Sequence, residues 1–372
     1  MRKRAYDYRE TRSCGCRNSF QYVAIPAGVG CRPSAAQQRL DCPLGRDSTS
    51  PSILIQESAG TVLREATEDD HPALLALEGT SSHTGAELLQ ARTDFFARTD
   101  AYPVSQVLVA EREGAVIGVE CLALTDVRVN GEGCGAGYSF NTRVQPGLQR
   151  RGLGPALIEA AEGWADGQGA SYLTGLIKTT NAPSMKMVTA LGFETAARFD
   201  YLVLELARFD GMAGPRAVRV DLHQDPYLLG LRVAAVRSHQ FVPLFLEKEL
   251  FSPPPEGAYG GSWTASSRDG TAWLSLWDDR AARGLDPATF CAVKAFDLML
   301  EGSGALGAFA GIVGALRTRG IRHLLIPLPA ESYACALLTP FASEVIDMNF
   351  VVKRLRGSSP VRPGPIYFDI RH

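Results

Sequence analysis

The segment from Asn141 to Gly154 constrains this chain most, because a strand, a glycine-rich turn and a helix follow one another within it. The strand ends near Val144, and apolar residues at helical spacing begin just after Gly152. The first N–H groups of a helix have no acceptor within the helix and carry a partial positive charge. Glycine also allows a ligand to approach the backbone closely. We therefore predict that this turn binds a pyrophosphate.

Hydrophobic periodicity predicts that this turn lies inside an α/β unit that starts near residue 60. Alternating apolar runs predict strands, and apolar residues at helical spacing predict helices. The predicted strands are 61–66, 104–111, 115–127, 138–144, 171–177 and 199–207, and the predicted helices are 67–77, 86–97, 152–167 and 182–191. The resulting order, β-α-α-β-β-β-α-β-α-β, predicts an α/β fold with a mixed sheet.

Two motifs lie in register within this unit. The first is V-x-P followed by Q/R-x-x-G-x-G/A, and it is formed by Val144, Pro146, Gln149, Gly152 and Gly154. The second lies downstream and consists of Asn181, Ser184 and the run Leu191-Gly192-Phe193. With both motifs, the segment resembles the GNAT superfamily of N-acetyltransferases. The resemblance implies a GNAT-like domain at residues 59–208 that transfers an acetyl group from acetyl-CoA to an amine of a small molecule or protein.

The resemblance also implies roles for individual residues. Backbone groups at the strand end would hold the acetyl carbonyl and the pantetheine, and these groups belong to Thr142, Arg143 and Val144. N–H groups of the turn would hold the pyrophosphate, and they belong to Gln149, Arg150, Arg151, Gly152, Leu153 and Gly154. Asn181 would hydrogen-bond the pantetheine arm. Ser184 would help it, unless Ser184 is simply an exposed residue of the first helical turn.

In its candidate proton carriers the chain departs from the family that it resembles. Val188 stands where many members have a tyrosine acid, and Leu176 stands where some have a glutamate base. Neither side chain can exchange a proton. We predict Glu120 as the general base and Tyr138 as the proton donor, with Tyr201 as a second candidate donor. The alternatives are an outward-facing carboxylate for Glu120 and aromatic packing for the two tyrosines.

The second half of the chain repeats parts of the first. Residues 319–326 resemble residues 168–175 as a helix end followed by a strand, and residues 350–355 echo residues 201–206. We therefore predict two copies of one fold, with coincidence between two α/β segments as the alternative.

This repeat predicts a linker at residues 209–216 and a second, degenerate GNAT-like domain at residues 217–372. Trp263, Trp273 and Trp277 lie in a predicted hairpin, where we expect them in the core rather than on a substrate platform. With that hairpin, the overall plan loosely resembles the hookless-type N-acetyltransferases of plants.

Two other functions remain open. The run from Gly302 to Gly307 matches the dinucleotide fingerprint G-x-G-x-x-G and would suit a nicotinamide-dependent oxidoreductase. However, the repeat places this run where the second copy's pyrophosphate turn would lie, and we expect that turn to be vestigial. A regulatory protein that binds acyl-CoA without turnover is the other alternative, since Val188 and Leu176 replace proton carriers.

Composition argues against several further classes. A net charge of −2 gives no reason to expect a nucleic acid or an anionic membrane as a partner, and no apolar stretch is long enough for a membrane helix. Four of the eight cysteines lie in the first 42 residues and four are scattered through the rest. A zinc site built from the first four is an alternative, but they lack the paired C-x2-C spacing, so we predict no metal and an intracellular, cytoplasmic protein. Residues 1–58 form no periodic core face and are predicted to be a disordered or leader segment. The oligomeric state is left open.

Overall fold

Strands with alternating apolar residues join side by side into a mixed sheet in the computed structural model of this protein. The structure describes residues 57–58, 60–80, 88, 91–220, 230, 233–234, 237–243 and 259–367. All of them lie within one compact unit, Arg46–His372. The predicted leader lies outside the described residues, except for Glu57–Ser58.

The first half of the described chain follows the predicted order of strands closely. Its strands are β1 Glu57–Ser58, β2 Thr61–Glu65, β3 Val104–Arg112, β4 Ala115–Val129, β5 Glu132–Val144, β6 Tyr172–Lys178 and β7 Glu194–Glu205. Its helices are α1 His71–Gly79, α2 Leu153–Gly167 and α3 Ala182–Ala190. Each predicted strand is therefore confirmed, with β5 and β7 starting several residues earlier than the pattern suggested.

The predicted helix at residues 86–97 is confirmed at Leu88 and wrong from residue 91 onward. Residues 91–95 are irregular, and Phe96–Arg98 form a single 3-10 turn. Two hydrogen bonds, one local and one from the second half, compete with a helix here. The Asp94 side chain accepts the Phe96 N–H at 2.9 Å, and the Thr93 N–H donates to the Arg283 carbonyl of the second half at 3.1 Å.

The second half adds a similar set of elements. Its strands are β8 Val218–Val220, β9 Phe241–Pro243, β10 Tyr259–Ser266, β11 Thr271–Trp277, β12 Ala292–Glu301, β13 His323–Pro329 and β14 Ala342–Arg354. Its helices are α4 Ala305–Arg317 and α5 Tyr333–Leu338. The predicted hairpin is β10–β11, and Trp263, Trp273 and Trp277 are all buried in it, as expected for core residues.

The two halves exchange their last strands. The order across the sheet is β1-β2-β3-β4-β5-β6-β14-β7-β13-β12-β11-β10-β8, and β9 pairs with β4 outside this path. Thus β14 lies between β6 and β7, and β7 lies between β14 and β13. Residues 172–178 of β6 pair with 348–354, while 323–329 of β13 pair with 199–205. Counted inward from β2, the order is five consecutive strands of the first half and then β14. Counted inward from β8, it is five strands of the second half and then β7, so the two halves follow the same plan.

The helices divide the two faces of this sheet. On one face, Leu157 of α2 packs with Leu108 and Leu122. On the same face, the apolar side of α4 packs on strands of the second half. On the other face, Leu74 of α1 packs with Tyr138 and with other residues of β3, β4 and β5. The first face is called the α2 face below, and the second the α1 face. No helix among the described residues is long and apolar enough to cross a bilayer.

Candidate functional site

A gap opens between β5 and β6, next to the start of α2. These parallel strands pair only from Ala136 to Tyr138 of β5, because β6 continues alongside β14 instead. From Ser139 to Val144, no described strand pairs with β5 on its β6 side. Backbone N–H and C=O groups on that edge are therefore available to an extended ligand.

A β-bulge lies inside the gap. Asn141 and Thr142 of β5 together oppose the single residue Glu120 of β4. Asn141 has φ +61°, a left-handed conformation that asparagine adopts more readily than most residues. A bulge of this kind redirects the backbone groups of its strand. The predicted acetyl-binding residues Thr142, Arg143 and Val144 thus lie at and just beyond the bend.

The turn after β5 presents a series of free N–H groups. Among the described residues, none of the N–H groups of Gln149–Gly154 donates to a backbone oxygen. Arg150 and Gly152 have φ +61° and +86°, so right- and left-handed conformations mix along the turn, as in anion-binding nests. The Gln149 side chain donates to the Val144 carbonyl at 3.1 Å and ties the turn to the strand.

The two motif glycines serve different needs. Gly152 requires glycine because of its positive φ, while nothing lies within 4 Å of a Cβ placed there. A Cβ on Gly154 would lie 3.0 Å from Sδ of Met187 in α3. Gly154 therefore lets α3 approach the first turn of α2, which places both helices beside the gap.

Asn181 and Ser184 lie at the start of α3, directly after β6. The Asn181 side-chain oxygen accepts the Ser184 N–H at 3.2 Å, so Asn181 is the N-cap of the helix. This bond uses the oxygen and leaves the amide N–H groups of Asn181 for other acceptors. Ser184 is half-buried rather than exposed.

Glu120 lies fully buried behind the bulge, so the alternative of an outward-facing carboxylate is wrong. Its Oε1 accepts a hydrogen bond from the Ser139 hydroxyl at 2.5 Å. Burial raises the pKa of Glu120 to about 8, although hydrogen bonds from Ser139 and Thr142 lower it in part. At neutral pH this carboxyl is therefore mostly protonated and close to its titration midpoint.

Tyr138 lies on the α1 face, across the sheet from Glu120. Its ring stacks on Phe140 with centroids 4.8 Å apart, and the residue is only 2 % exposed. Because Tyr138 forms the last pair between β5 and β6, it lies at the closed end of the gap. Tyr201 is buried on the same face of the sheet, and burial raises its pKa above the ordinary value. The structure therefore does not bring Glu120 and Tyr138 together.

Val188 and Leu176, which stand where related sequences have proton carriers, pack against apolar neighbours. Val188 is buried in the core of the α2 face, and Leu176 packs on the opposite face near Phe350 and Val352. A direct role in proton transfer is thus absent at both positions.

Sequence patterns missed a group of cationic side chains on the α1 face. Glu78 of α1 accepts from Arg92 at 2.8 Å and from Arg143 at 3.2 Å, and all three are largely buried. Arg98 lies close by, with its guanidinium carbon 4.8 Å from the Phe140 ring centroid. These residues come from separate segments, so no local motif could have indicated their meeting. The described residues contain no group of metal-ligating side chains.

The glycine-rich run of the second half is covered by its own chain. The Gly304 N–H donates to the Asp269 carbonyl of the β10–β11 turn at 2.9 Å. A Cβ on Gly302 or Gly270 would overlap the facing backbone, and Gly311 meets Pro215 just as tightly. Gly302 and Gly304 of the dinucleotide fingerprint therefore serve close backbone packing, and the start of α4 is closed to a pyrophosphate.

Comparison with known proteins supports a GNAT-type fold for the first half. Residues 68–193 match the model of the acetyltransferase (GNAT) family. An aminoglycoside N(6')-acetyltransferase type 1 from Klebsiella aerogenes is 28% identical over 127 residues, which are 32% of this chain and 77% of the relative.

Solved structures give a looser global match. A GCN5-related N-acetyltransferase from Kribbella flavida aligns with a TM-score of 0.45 at 12% identity, over 79% of this chain and 71% of its own. A protein of Pyrococcus horikoshii proposed to be an acetyltransferase aligns with a TM-score of 0.49 at 14% identity, over 84% and 96%.

Proposed function

From the match of residues 68–193 to the GNAT acetyltransferases, we infer that this protein is an N-acetyltransferase that uses acetyl-CoA. One observation carries the proposal: an open helix start with free N–H groups stands beside a strand edge that has lost its neighbour. Together these two features fit a pyrophosphate joined to an extended, amide-containing arm.

Each part of the site fits one part of acetyl-CoA. The N–H groups of Gln149–Gly154 would hold the pyrophosphate, with Arg150 and Arg151 adding positive charge. The open edge at Thr142, Arg143 and Val144 would pair with the pantetheine amides. Asn181 would donate its free amide N–H to the same arm, and Ser184 lies one turn further along α3.

When bound, acetyl-CoA supplies an activated thioester acetyl group to the amine. N–H groups at the bulge, near Val144, polarise the carbonyl, because such dipoles are fixed before the reaction. Holding both reactants together can contribute roughly 7 to 11 kcal/mol at best. As the carbon–nitrogen bond forms, the carbon–sulfur bond would break and release the thiolate of coenzyme A. We assign acceptance of the amine proton to Glu120 in its ionised form, through the Ser139 hydroxyl that donates to it. Tyr138, at the closed end of the gap, is the proposed donor of a proton to the departing thiolate.

The second half is proposed to be a degenerate copy of the same fold, with residues 209–216 as the link. The mirrored strand order and the equal registers of 172–178 and 323–329 support this repeat. Since the mouth of α4 is covered, we propose that only the first half binds acetyl-CoA. The plan shared with hookless-type proteins stays a prediction.

Titration of the full chain with coenzyme A tests the proposal. Replacing Gly152 by valine forces a β-branched residue into φ +86° and disturbs the N–H series, so we expect the Kd to rise at least about 100-fold. Gly131→Val is the matched control: Gly131 has φ +94° in the β4–β5 turn and no atom within 4 Å of its Cβ position. Equal affinity in both variants, with both folded, would refute the binding site.

Turnover separates the enzyme from its closest alternative. Release of free coenzyme A from acetyl-CoA is followed across a panel of amines, which includes aminoglycosides because the curated relative is named for them. Transfer to any amine supports the enzyme. Tight binding without transfer to any amine favours a regulatory acyl-CoA-binding protein, for which Val188 and Leu176 are the structural argument.

A further inference from the structure

Among the described residues, the buried cationic side chains on the α1 face near the gap outnumber the carboxylates that contact them. Glu78 is shared between two guanidinium groups, those of Arg92 and Arg143. Arg143 also donates to the Asn141 side chain at 2.9 Å, which fixes it directly beside the bulge. Burial lowers the pKa of Arg143 to about 10, a change that leaves it charged at neutral pH.

Arg98 lies near these cationic side chains and forms no salt bridge with a described carboxylate. Among the described residues, its guanidinium makes a cation–π contact with the Phe140 ring, and no acidic group lies within salt-bridge distance. Burial lowers the pKa of Arg92, Arg143, Arg283 and Lys294, and the positive charge of Arg98 lowers each of them further. Burial by itself lowers the pKa of Arg98, but neighbouring groups that include Glu78 raise it overall. Because Glu78 is already shared by Arg92 and Arg143, a further anion beside Arg98 would be favourable.

The second half closes this region from the other side. Asp279 lies 3.3 Å from Lys294 of β12 and 3.4 Å from Arg283, so it is shared like Glu78. The Arg283 guanidinium also donates to the carbonyls of Leu88 and Ala91, in the segment that leads to Arg98. Both halves thus hold cationic side chains around one place on the α1 face.

This place lies across the sheet from the helix that would hold the pyrophosphate. The two sites nevertheless meet at the bulge, since Arg143 begins the strand end that we assign to the acetyl group. An acceptor on the α1 face could therefore present its amine to the bulge while a second group reaches Arg98.

The geometry points to an anionic acceptor: an amine that also carries a carboxylate or a phosphate group, held by Arg98 with Arg92 and Arg143. This inference rests on the proposed acetyltransferase function and names its substrate class. Guanidinium groups bind such anions with charge-assisted hydrogen bonds. By the same charges, polycationic amines such as aminoglycosides are disfavoured here.

Matched acceptors test the inference. Tyrosine is compared with tyramine, and phosphoethanolamine with ethanolamine, at saturating acetyl-CoA. We expect wild-type kcat/KM to favour the anionic member of at least one pair by roughly tenfold or more. Arg98→Gln should reduce that ratio by roughly tenfold, and Arg98→Lys by less. Arg216→Gln, at an exposed arginine, should leave the ratio unchanged. A ratio near one in wild type, or one that Arg98→Gln leaves intact, would overturn the inference.

A second measurement does not depend on turnover. With coenzyme A in excess, so that its own site is filled, malonate or inorganic phosphate should raise the Tm of wild type but not of Arg98→Gln. An equal rise in both proteins, or none in either, refutes the anion site. Failure to bind coenzyme A at all would refute the proposed function instead, and the malonate series without coenzyme A would still decide on Arg98.

Discussion

The two strand–turn–helix junctions of the sheet share one backbone plan and differ in what covers the helix. Both strands carry a bulge with a positive φ, at Asn141 in β5 and at Asp297 in β12. After β5 the turn is long, and the N–H groups of Gln149–Gly154 donate to no backbone oxygen among the described residues. After β12 the turn is short, and the β10–β11 hairpin occupies the mouth of α4 through Asp269.

The residue opposite the bulge also differs between the two junctions: it is ionisable in the first and apolar in the second. Glu120 faces the first bulge, whereas Leu274 faces the second. A glycine-rich turn before a helix therefore does not by itself indicate a ligand. What decides is whether the chain's own backbone already satisfies the helix start.

The largest expected effect concerns the two residues that face the bulges. Burial raises the pKa of Glu120 to about 8 in the folded protein, from an ordinary value of 4.5. Between these values the folded state binds more protons, so stability decreases as the pH rises from about 5 to 8 and is level above that. A shift of this size corresponds to a loss on the order of 4 kcal/mol.

Glu120→Gln and Glu120→Leu, which copies Leu274, should both lose this pH dependence. Denaturant unfolding of the three proteins at pH 5 and pH 9 measures it. A stability difference between wild type and variants that is the same at both pH values would show that Glu120 does not titrate in this range.

A smaller effect on stability is expected when one glycine in each junction is replaced by alanine. A Cβ on Gly270 would lie 2.8 Å from Cα of Gly304 and closer still to other rigid backbone atoms. Gly270→Ala should therefore destabilise the protein by up to about 3 kcal/mol and lower the Tm by roughly 5 to 10 °C, without changing coenzyme A affinity.

Gly152→Ala provides the opposite pattern. It has space for a Cβ but a positive φ, so we expect a stability loss of about 1 kcal/mol and a coenzyme A Kd raised roughly tenfold. Calorimetric titration and thermal unfolding of both variants test this. If Gly270→Ala weakened coenzyme A binding as strongly, the second junction would have to be reconsidered as a ligand site.

The smallest effect concerns the helix caps that follow β6 and β13. Asn181 caps α3, and Ser332 caps α5 by accepting the Cys335 N–H at 3.2 Å. Each alanine variant should lose about 1 kcal/mol of unfolding free energy. Only Asn181→Ala should also weaken coenzyme A binding, by a few-fold. Parallel losses of affinity in both variants would mean that Asn181 acts only as a cap.

Local sequence patterns predicted most of the first half because its signals are local. Alternation identified the strands, and the turn from Gln149 to Gly154 has the open N–H groups that the motif implied. The helix predicted at residues 86–97 failed from residue 91 onward because the Arg283 carbonyl of the second half accepts the Thr93 N–H. Such a contact has no trace in the local sequence.

The sequence alone determined the order of strands along the first half and the glycine at position 152, since periodicity and backbone conformation act over a few residues. Only the tertiary structure decided that β7 and β14 change places, that the mouth of α4 is closed, and that Glu120 is buried. It also gathered Arg92, Arg98 and Arg143 around one face. These features depend on contacts between residues far apart in the chain, and the burial that raises the pKa of Glu120 arises only when those contacts form.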